Sequence, residues 1–424
     1  MFGSKKWGAG EFLEALGFTF LSLLFITSFE SKALINIFFL LSFLTSIIYI
    51  VFFDKGFFSK NKYVWLFIGP YILGFILGFL SEYGAIGSVD FLQRFKFMLL
   101  ILPLACFVKS KKEMIFLLIM VYTSAFIAVF YGIYKNQPYG NFYGFHNIGR
   151  TADMLVVLLL SSLAYITQSR FTFTLRSNIE KLILLGAALT FAWAVVMTEI
   201  RGAWLGVSVG LLFLTLGLFF VKRKFLAFSM LVLIIITSVT FLKTDNNTDR
   251  IKNQIESVIE TQSNVSNETR LHLWKTGWDF SKEQLFFGTG AKKSKDMFIN
   301  FFNGQKDSYQ KKYHYAMDQP GDYHNSYLQI YIETGIIFFI IYITSIAVCL
   351  LYFIKRIQKA QSEDRKYLLA AIVSSLAFLF IQFFHSELYS YGATSFYLVI
   401  FSAFYVLNES DKLPIYPKGH RDEE

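Results

Sequence analysis

The chain has 424 residues, of which 54% are hydrophobic, 19% aromatic and 17% charged, with 50 phenylalanines. Soluble domains carry roughly 25% charged residues. That deficit, with repeated apolar runs of about 18–25 residues, excludes a soluble fold and leaves a polytopic membrane protein. The runs lack the alternation of barrel strands, so the expected fold class is all-α. The net charge of +10 follows the loops between spans and does not mark a nucleic-acid surface.

Twelve spans are predicted in chain order, at 11–28, 33–53, 63–81, 90–108, 114–134, 151–167, 179–198, 203–221, 225–242, 327–354, 366–384 and 388–407. The first follows Lys5 and Lys6 without a small-residue cleavage site and reads as an uncleaved span. Every even-numbered span before the last is followed by Lys or Arg: Lys55, Lys60 and Lys62; Lys109, Lys111 and Lys112; Arg170 and Arg176; Lys222 to Lys224; Lys355 to Lys366. The positive-inside rule assigns those loops, and both termini, to the cytoplasm. Cys106 and Cys349 lie inside apolar segments and read as small core residues. The chain therefore divides into nine spans (1–242), an outer lid loop (243–326), three spans (327–407) and a cytoplasmic tail (408–424).

The lid is the only long polar stretch, its 12 Lys/Arg nearly balancing 11 Asp/Glu over Lys243–Ser326. A loop of that size is expected to fold. Thr248–Glu260 and Asn267–Lys282 have helical periodicity, and Phe287–Gly290 reads as a turn before Lys292, Lys293 and Lys295. Asn-x-Ser/Thr sequons near Asn246, Asn264 and Asn267 are chance occurrences in an Asn-rich loop. Pro320-Gly321 then breaks the chain, and Asp322 is the expected N-cap of the tenth span. That places His324 in the first helical turn, on one face with Leu328, Tyr331 and Gly335. Either the histidine serves an anion site at the helix start, or it only bonds a carbonyl. Glu333, about 13 Å further along at 1.5 Å per residue, marks a proton path, a helix pairing or an orienting group for His324.

Charge at membrane depth invites a functional hypothesis. Glu199-Ile200-Arg201-Gly202-Ala203-Trp204-Leu205-Gly206 forms a short outer hairpin. There Arg201 can grip a phosphate with paired donors, or simply pair with Glu199 at the interface. Arg270 shares a lid helix with Trp274 and Trp278; it is a second anion ligand or a solvated residue beside Glu268. Trp274 can stack on a sugar or rest on the interface. Arg94, Lys96, His146, Asn147, Arg150, His385 and Glu387 add outward polar groups, and Tyr323 and Asn325 flank His324 as candidate substrate contacts. No Asp-x-Asp pair on the outer face, zinc-spaced cluster, P-loop or Gly-x-Ser-x-Gly elbow occurs in the sequence. Catalysis, if present, is therefore expected to use Arg and His rather than a metal.

Arg-Gly-Ala-Trp-Leu-Gly at 201–206, Arg270 with Trp274, and His324-Asn325-Ser326-Tyr327-Leu328 through Gly335 together resemble the lipopolysaccharide O-antigen ligase family. That family belongs to a superfamily with O-antigen polymerases and protein O-oligosaccharyltransferases. The resemblance covers about residues 190–340, with the first half similar only in span pattern. It implies a bundle related to the GT-C glycosyltransferases in a bacterial inner membrane, with a periplasmic active site. An undecaprenyl-diphosphate-linked glycan is the implied donor and lipid A–core the acceptor, without cofactor or metal, by inverting transfer. His324 takes the place of the family's catalytic histidine, and Arg201 and Arg270 those of its two arginines. An O-antigen polymerase uses the same donor with a lipid-linked acceptor. Topology alone also admits a twelve-span transporter, although such transporters place charge at the midplane.

Overall fold

The computed structural model describes residues 8–81, 84–135, 148–168, 175–229, 231, 265–283, 286–386, 388 and 390–412. His146, Asn147, Glu387, the segment Thr248–Glu260 and the sequons at Asn246 and Asn264 lie outside the described residues. Described elements are all helical. They run α1 (Ala9–Ile26), α2 (Lys32–Phe52), α3 (Trp65–Leu80), α4 (Gly84–Phe95), α5 (Ile101–Phe107), α6 (Lys111–Lys135), α7 (Ile148–Gln168), α8 (Leu175–Met197) and α9 (Arg201–Phe220). The lid contributes α10 (Val265–Ser281), α11 (Ser294–Asn303) and α12 (Asp307–Lys312). The chain then returns through α13 (Ser326–Ile357), α14 (Ser362–Ile381) and α15 (Thr394–Lys412).

Nine helices among the described residues are long and apolar enough to cross a membrane. Two, α7 and the Tyr391–Ser410 stretch containing α15, are buried along nearly their whole length, as expected of helices apolar all round. Against this centre α14 packs on α7, α9 and α15, while α8 covers α7 from the other side. Most remaining helices turn apolar side chains outward, for example Leu40, Leu44 and Ile48 of α2. In water such a surface is a liability; in lipid it is the solvated face.

The expected span 90–108 is not one helix. Helix α4 ends at Phe95, Lys96–Leu100 tightens into a 3-10 segment, and α5 begins at Ile101. Pro103 explains the break, because it has no N–H for an interior helical bond and fits only near a helix start. The bend brings Arg94 and Lys96 to the same cavity. Helices α3 and α4 meet through glycines: a Cβ at Gly87 would lie 2.7 Å from the Gly78 carbonyl oxygen. Such close backbone approach is how helices pack without a hydrophobic driving force in lipid.

The lid folds around a core of its own, built from Leu273, Phe280, Phe298, Phe302, Ala316 and Tyr323, with Ile332 reaching in from α13. It is anchored where α13 is broken. Gly335 has φ 80° and ψ 170°, and the 286–290 turn seats in that break. Thr289 and Gly290 donate their backbone N–H to the carbonyls of Ile332 and Glu333, at 2.9 and 3.0 Å. Lys292 adds an ion pair at 3.0 Å to the buried Asp90 of α4. Gly335 thus admits a loop at close backbone approach.

A Cβ at Gly335 would sit 2.0 Å from the Phe286 carbonyl oxygen, on a backbone that L-residues avoid. Gly335→Ala is therefore expected to destabilise the protein by more than about 1 kcal/mol and to release the lid. Gly186→Ala, a helical position with nothing within 4 Å, serves as the control. Thermal melting and limited proteolysis of the lid in detergent check this, and equal behaviour of the two variants contradicts it.

Candidate active site

The segment carrying His324 is held from both sides. Asn325, not Asp322, caps α13, its Oδ1 accepting from the N–H groups of Tyr327 and Leu328 at 3.0 and 3.1 Å. Asp322 closes a tighter local turn, its Oδ1 accepting the His324 N–H at 3.1 Å. Both residue types cap well, and here the second in the chain takes the helix. His324 consequently precedes the helix instead of lying in its first turn, in a left-handed conformation with φ 45°. Side chains other than glycine enter that region at a cost, so surrounding bonds must enforce it. Gln329 does so from α13: Oε1 accepts the Tyr323 N–H at 3.2 Å and Nε2 donates to the Gly321 carbonyl at 3.0 Å. From the other side the Ser326 N–H points at the carbonyls of Gln382 and His385, both at 2.8 Å.

His324 opens into a cavity of roughly 720 Å³. Lys32, Arg94, Lys96, Arg150 and Arg270 line it, against a single carboxylate among the described residues, Asp322. Arg270 and Phe384 also line an adjoining pocket of about 190 Å³ with Arg201, Asn267 and Trp274. The two arginines are brought together by α9 and α10: Arg201 opens α9 and donates from Nη1 to Asn267 Oδ1 at 3.3 Å, one turn before Arg270. Burial lowers the Arg270 pKa, and the neighbouring Arg201 charge lowers it further. Among the described residues no carboxylate lies within ion-pair distance of Arg270. Two cations that repel each other at a polar cavity are arranged for an anion.

Burial likewise holds the His324 imidazole below its ordinary pKa, with Arg270 and His385 adding to the effect and Asp322 opposing it. That setting favours the neutral ring, whose Nε2 lies against the Gln319 side chain.

The other expected contacts differ in what they bind. Arg94 and Arg150 face the cavity while bound elsewhere: Arg94 grips Glu333 with Nε at 3.0 Å and Nη2 at 2.6 Å, and Arg150 donates to the Tyr391 hydroxyl at 2.8 Å. Lys96 lies over the Phe97 ring. Trp274 lines the smaller pocket, but its Nε1 donates to the Tyr323 carbonyl at 2.9 Å. Tyr323 is fully buried in the lid core, and Asn325 is engaged by the helix cap; the fold uses both structurally. Lys32, Gln329 and the pairing of His385 with Asp153, whose atoms lie 2.7 Å apart, were not expected from the sequence. One signal was available: Asp153 is a lone carboxylate within a long apolar helix.

A family model described as O-antigen ligase matches residues 186–343. No curated protein matches the chain. The matched stretch holds Arg201, Arg270 and His324, and it agrees with the resemblance read from those motifs. It supports placement in the O-antigen ligase and polymerase superfamily and a glycosyltransferase-related activity on lipid-linked glycans.

Glu333 is buried, so removing its partner strands a charge. Arg94→Ala is expected to destabilise the protein toward the lower end of about 3–5 kcal/mol, because Arg94 itself is partly exposed. Arg94→Ala combined with Glu333→Leu should regain most of that. Denaturation in detergent reads both, and a double variant no more stable than the single excludes the ion pair as the cause.

Proposed function

We propose that this chain transfers a glycan from undecaprenyl diphosphate to lipid A–core on the periplasmic face of a bacterial inner membrane, as an O-antigen ligase. The observation that carries this reading is a cavity in which His324, its pKa lowered by burial, stands beside Arg270 and close to Arg201. In this reaction the bond between the anomeric carbon and a diphosphate oxygen breaks. The acceptor hydroxyl oxygen attacks the opposite face of that carbon, giving inversion. His324 takes the hydroxyl proton as general base, a role suited to an imidazole whose surroundings favour its neutral form. Arg201 and Arg270 receive the charge that collects on the departing diphosphate. Preorganised cations in a cavity stabilise developing charge better than water, which must reorient. The bilayer concentrates both lipid-linked substrates at this face. With the basic loops in the cytoplasm, both termini lie there too.

Purified protein in liposomes with defined donor and acceptors tests the reading. Transfer to lipid A–core is the expected outcome; transfer only to a second lipid-linked glycan identifies a polymerase. His324→Ala and Arg270→Ala should each lower transfer by at least about a hundredfold, the scale of losing one transition-state contact. Wild-type transfer by His324→Ala removes the histidine as base.

The lowered His324 pKa also sets the pH dependence. A base works when deprotonated, so kcat/KM should fall on the acid side with a midpoint below the ordinary imidazole value of 6.5. A midpoint at or above that value contradicts the assignment. Separately, activity unchanged by EDTA is expected from the resemblance, and loss reversed by a divalent ion overturns that expectation.

A further inference from the structure

We propose that His385, oriented by Asp153, is a further catalytic residue of this site and donates a hydrogen bond from Nε2 to the departing diphosphate. The inference rests on the lipid-diphosphate reading above and extends it to residues outside the matched stretch. Asp153 is fully buried on α7, and its Oδ1 lies 2.7 Å from His385 Nδ1. Gln382 Nε2 approaches Oδ2 at 3.4 Å. A carboxylate only accepts, so Nδ1 carries a proton and Nε2 is the atom left for the cavity. His385 lines that cavity together with His324 and Arg270. Its Nε2 lies 3.2 Å from where a Cβ on Gly202 would stand, next to Arg201 in the first turn of α9. That space stays open because residue 202 is glycine.

The two histidines share one frame. Ser326, two residues after His324, donates its Oγ–H and its N–H toward the His385 carbonyl, at 3.0 and 2.8 Å. The same Oγ lies 2.8 Å from Gln382 Oε1. Their surroundings differ. His324 faces Arg270, a setting that favours the neutral ring, whereas His385 backs onto the Asp153 carboxylate. A diphosphate bound beside Arg201 places the His385 ring between two anions. The imidazolium, with N–H on both nitrogens, satisfies both. One histidine thus receives the acceptor proton while the other faces the leaving group, a division set by environment.

The experiment uses the full chain in nanodiscs, with undecaprenyl diphosphate as binding probe and single-turnover transfer as rate. His385→Ala should lower transfer about tenfold to hundredfold and weaken probe binding, the range for one donor among several. His385→Gln, which keeps an N–H donor without charge, should lose less. Asp153→Asn with His385→Gln removes the buried charge while keeping polar partners, so it reports function at wild-type melting temperature. Wild-type transfer and binding in that double variant overturn the inference and leave His385 a structural anchor. If the unmodified protein binds no undecaprenyl diphosphate and Arg270→Ala changes nothing, the underlying reading fails and this inference with it.

Discussion

The ion pair between Arg94 and Glu333 is the interaction on which the site most depends. Glu333 is buried in α13, where an uncompensated carboxylate would be several kcal/mol too costly to keep. Arg94 supplies two hydrogen bonds from α4, and the Gln329 amide contacts the same carboxylate. The remaining capacity of Gln329 is spent on Gly321 and Tyr323, the residues that hold His324 in its left-handed turn. A charge balance inside the bundle thereby reaches the backbone conformation of the proposed base.

The lid and the bundle are joined at the same place. Breaking α13 at Gly335 frees the carbonyls of Ile332 and Glu333 from intrahelical duty, and Thr289 and Gly290 take them up. Those bonds fix the lid on Glu333 itself, whose carboxylate Arg94 grips, and on the residue before it. From there the lid core, packed around Tyr323, carries α10 over the cavity with Arg270 on it. Arg201, in turn, meets α10 through Asn267. Each of the three residues in the matched motifs is thus placed by contacts that converge on residues 321–335.

Much of this architecture was legible from composition. Long apolar runs have one stable form in lipid, so the positions of α1, α2, α6, α7, α8 and α9 follow from hydropathy to within a few residues. Arg270 and His324, which the motifs single out, both line one cavity, and each could be picked out because a lid helix and a span start are readable locally. What was not legible depends on partners far away in sequence. Glu333 had no sequence neighbour to explain it, since Arg94 lies 239 residues earlier. Asp322 and Asn325 are equally good caps, and only Gln329, Gln382 and His385 decide between them. Tyr323 looked exposed beside a reactive histidine, yet the lid core claims it. Local pattern says which residues are able to act, while long-range packing says which are left free to do so.

The electrostatic design then has two parts of different origin. One part, Arg201, Arg270 and His324, lies within the stretch matched by the O-antigen ligase model. The other, Arg94, Arg150, Asp153 and His385, comes from the flanking helices. In this second part most charges are already paired: Arg94 with Glu333, Arg150 with Tyr391, His385 with Asp153. Pairing reduces their pull on an incoming anion but fixes their direction. Arg270, by contrast, lines the smaller pocket with Arg201, whose charge acts on it, and no carboxylate of the described residues lies within ion-pair distance of Arg270. A mobile, strongly hydrated diphosphate gains most where two cations lie close together, and is best aligned where donors cannot move. The matched arginines therefore supply attraction, and the paired residues around them supply geometry.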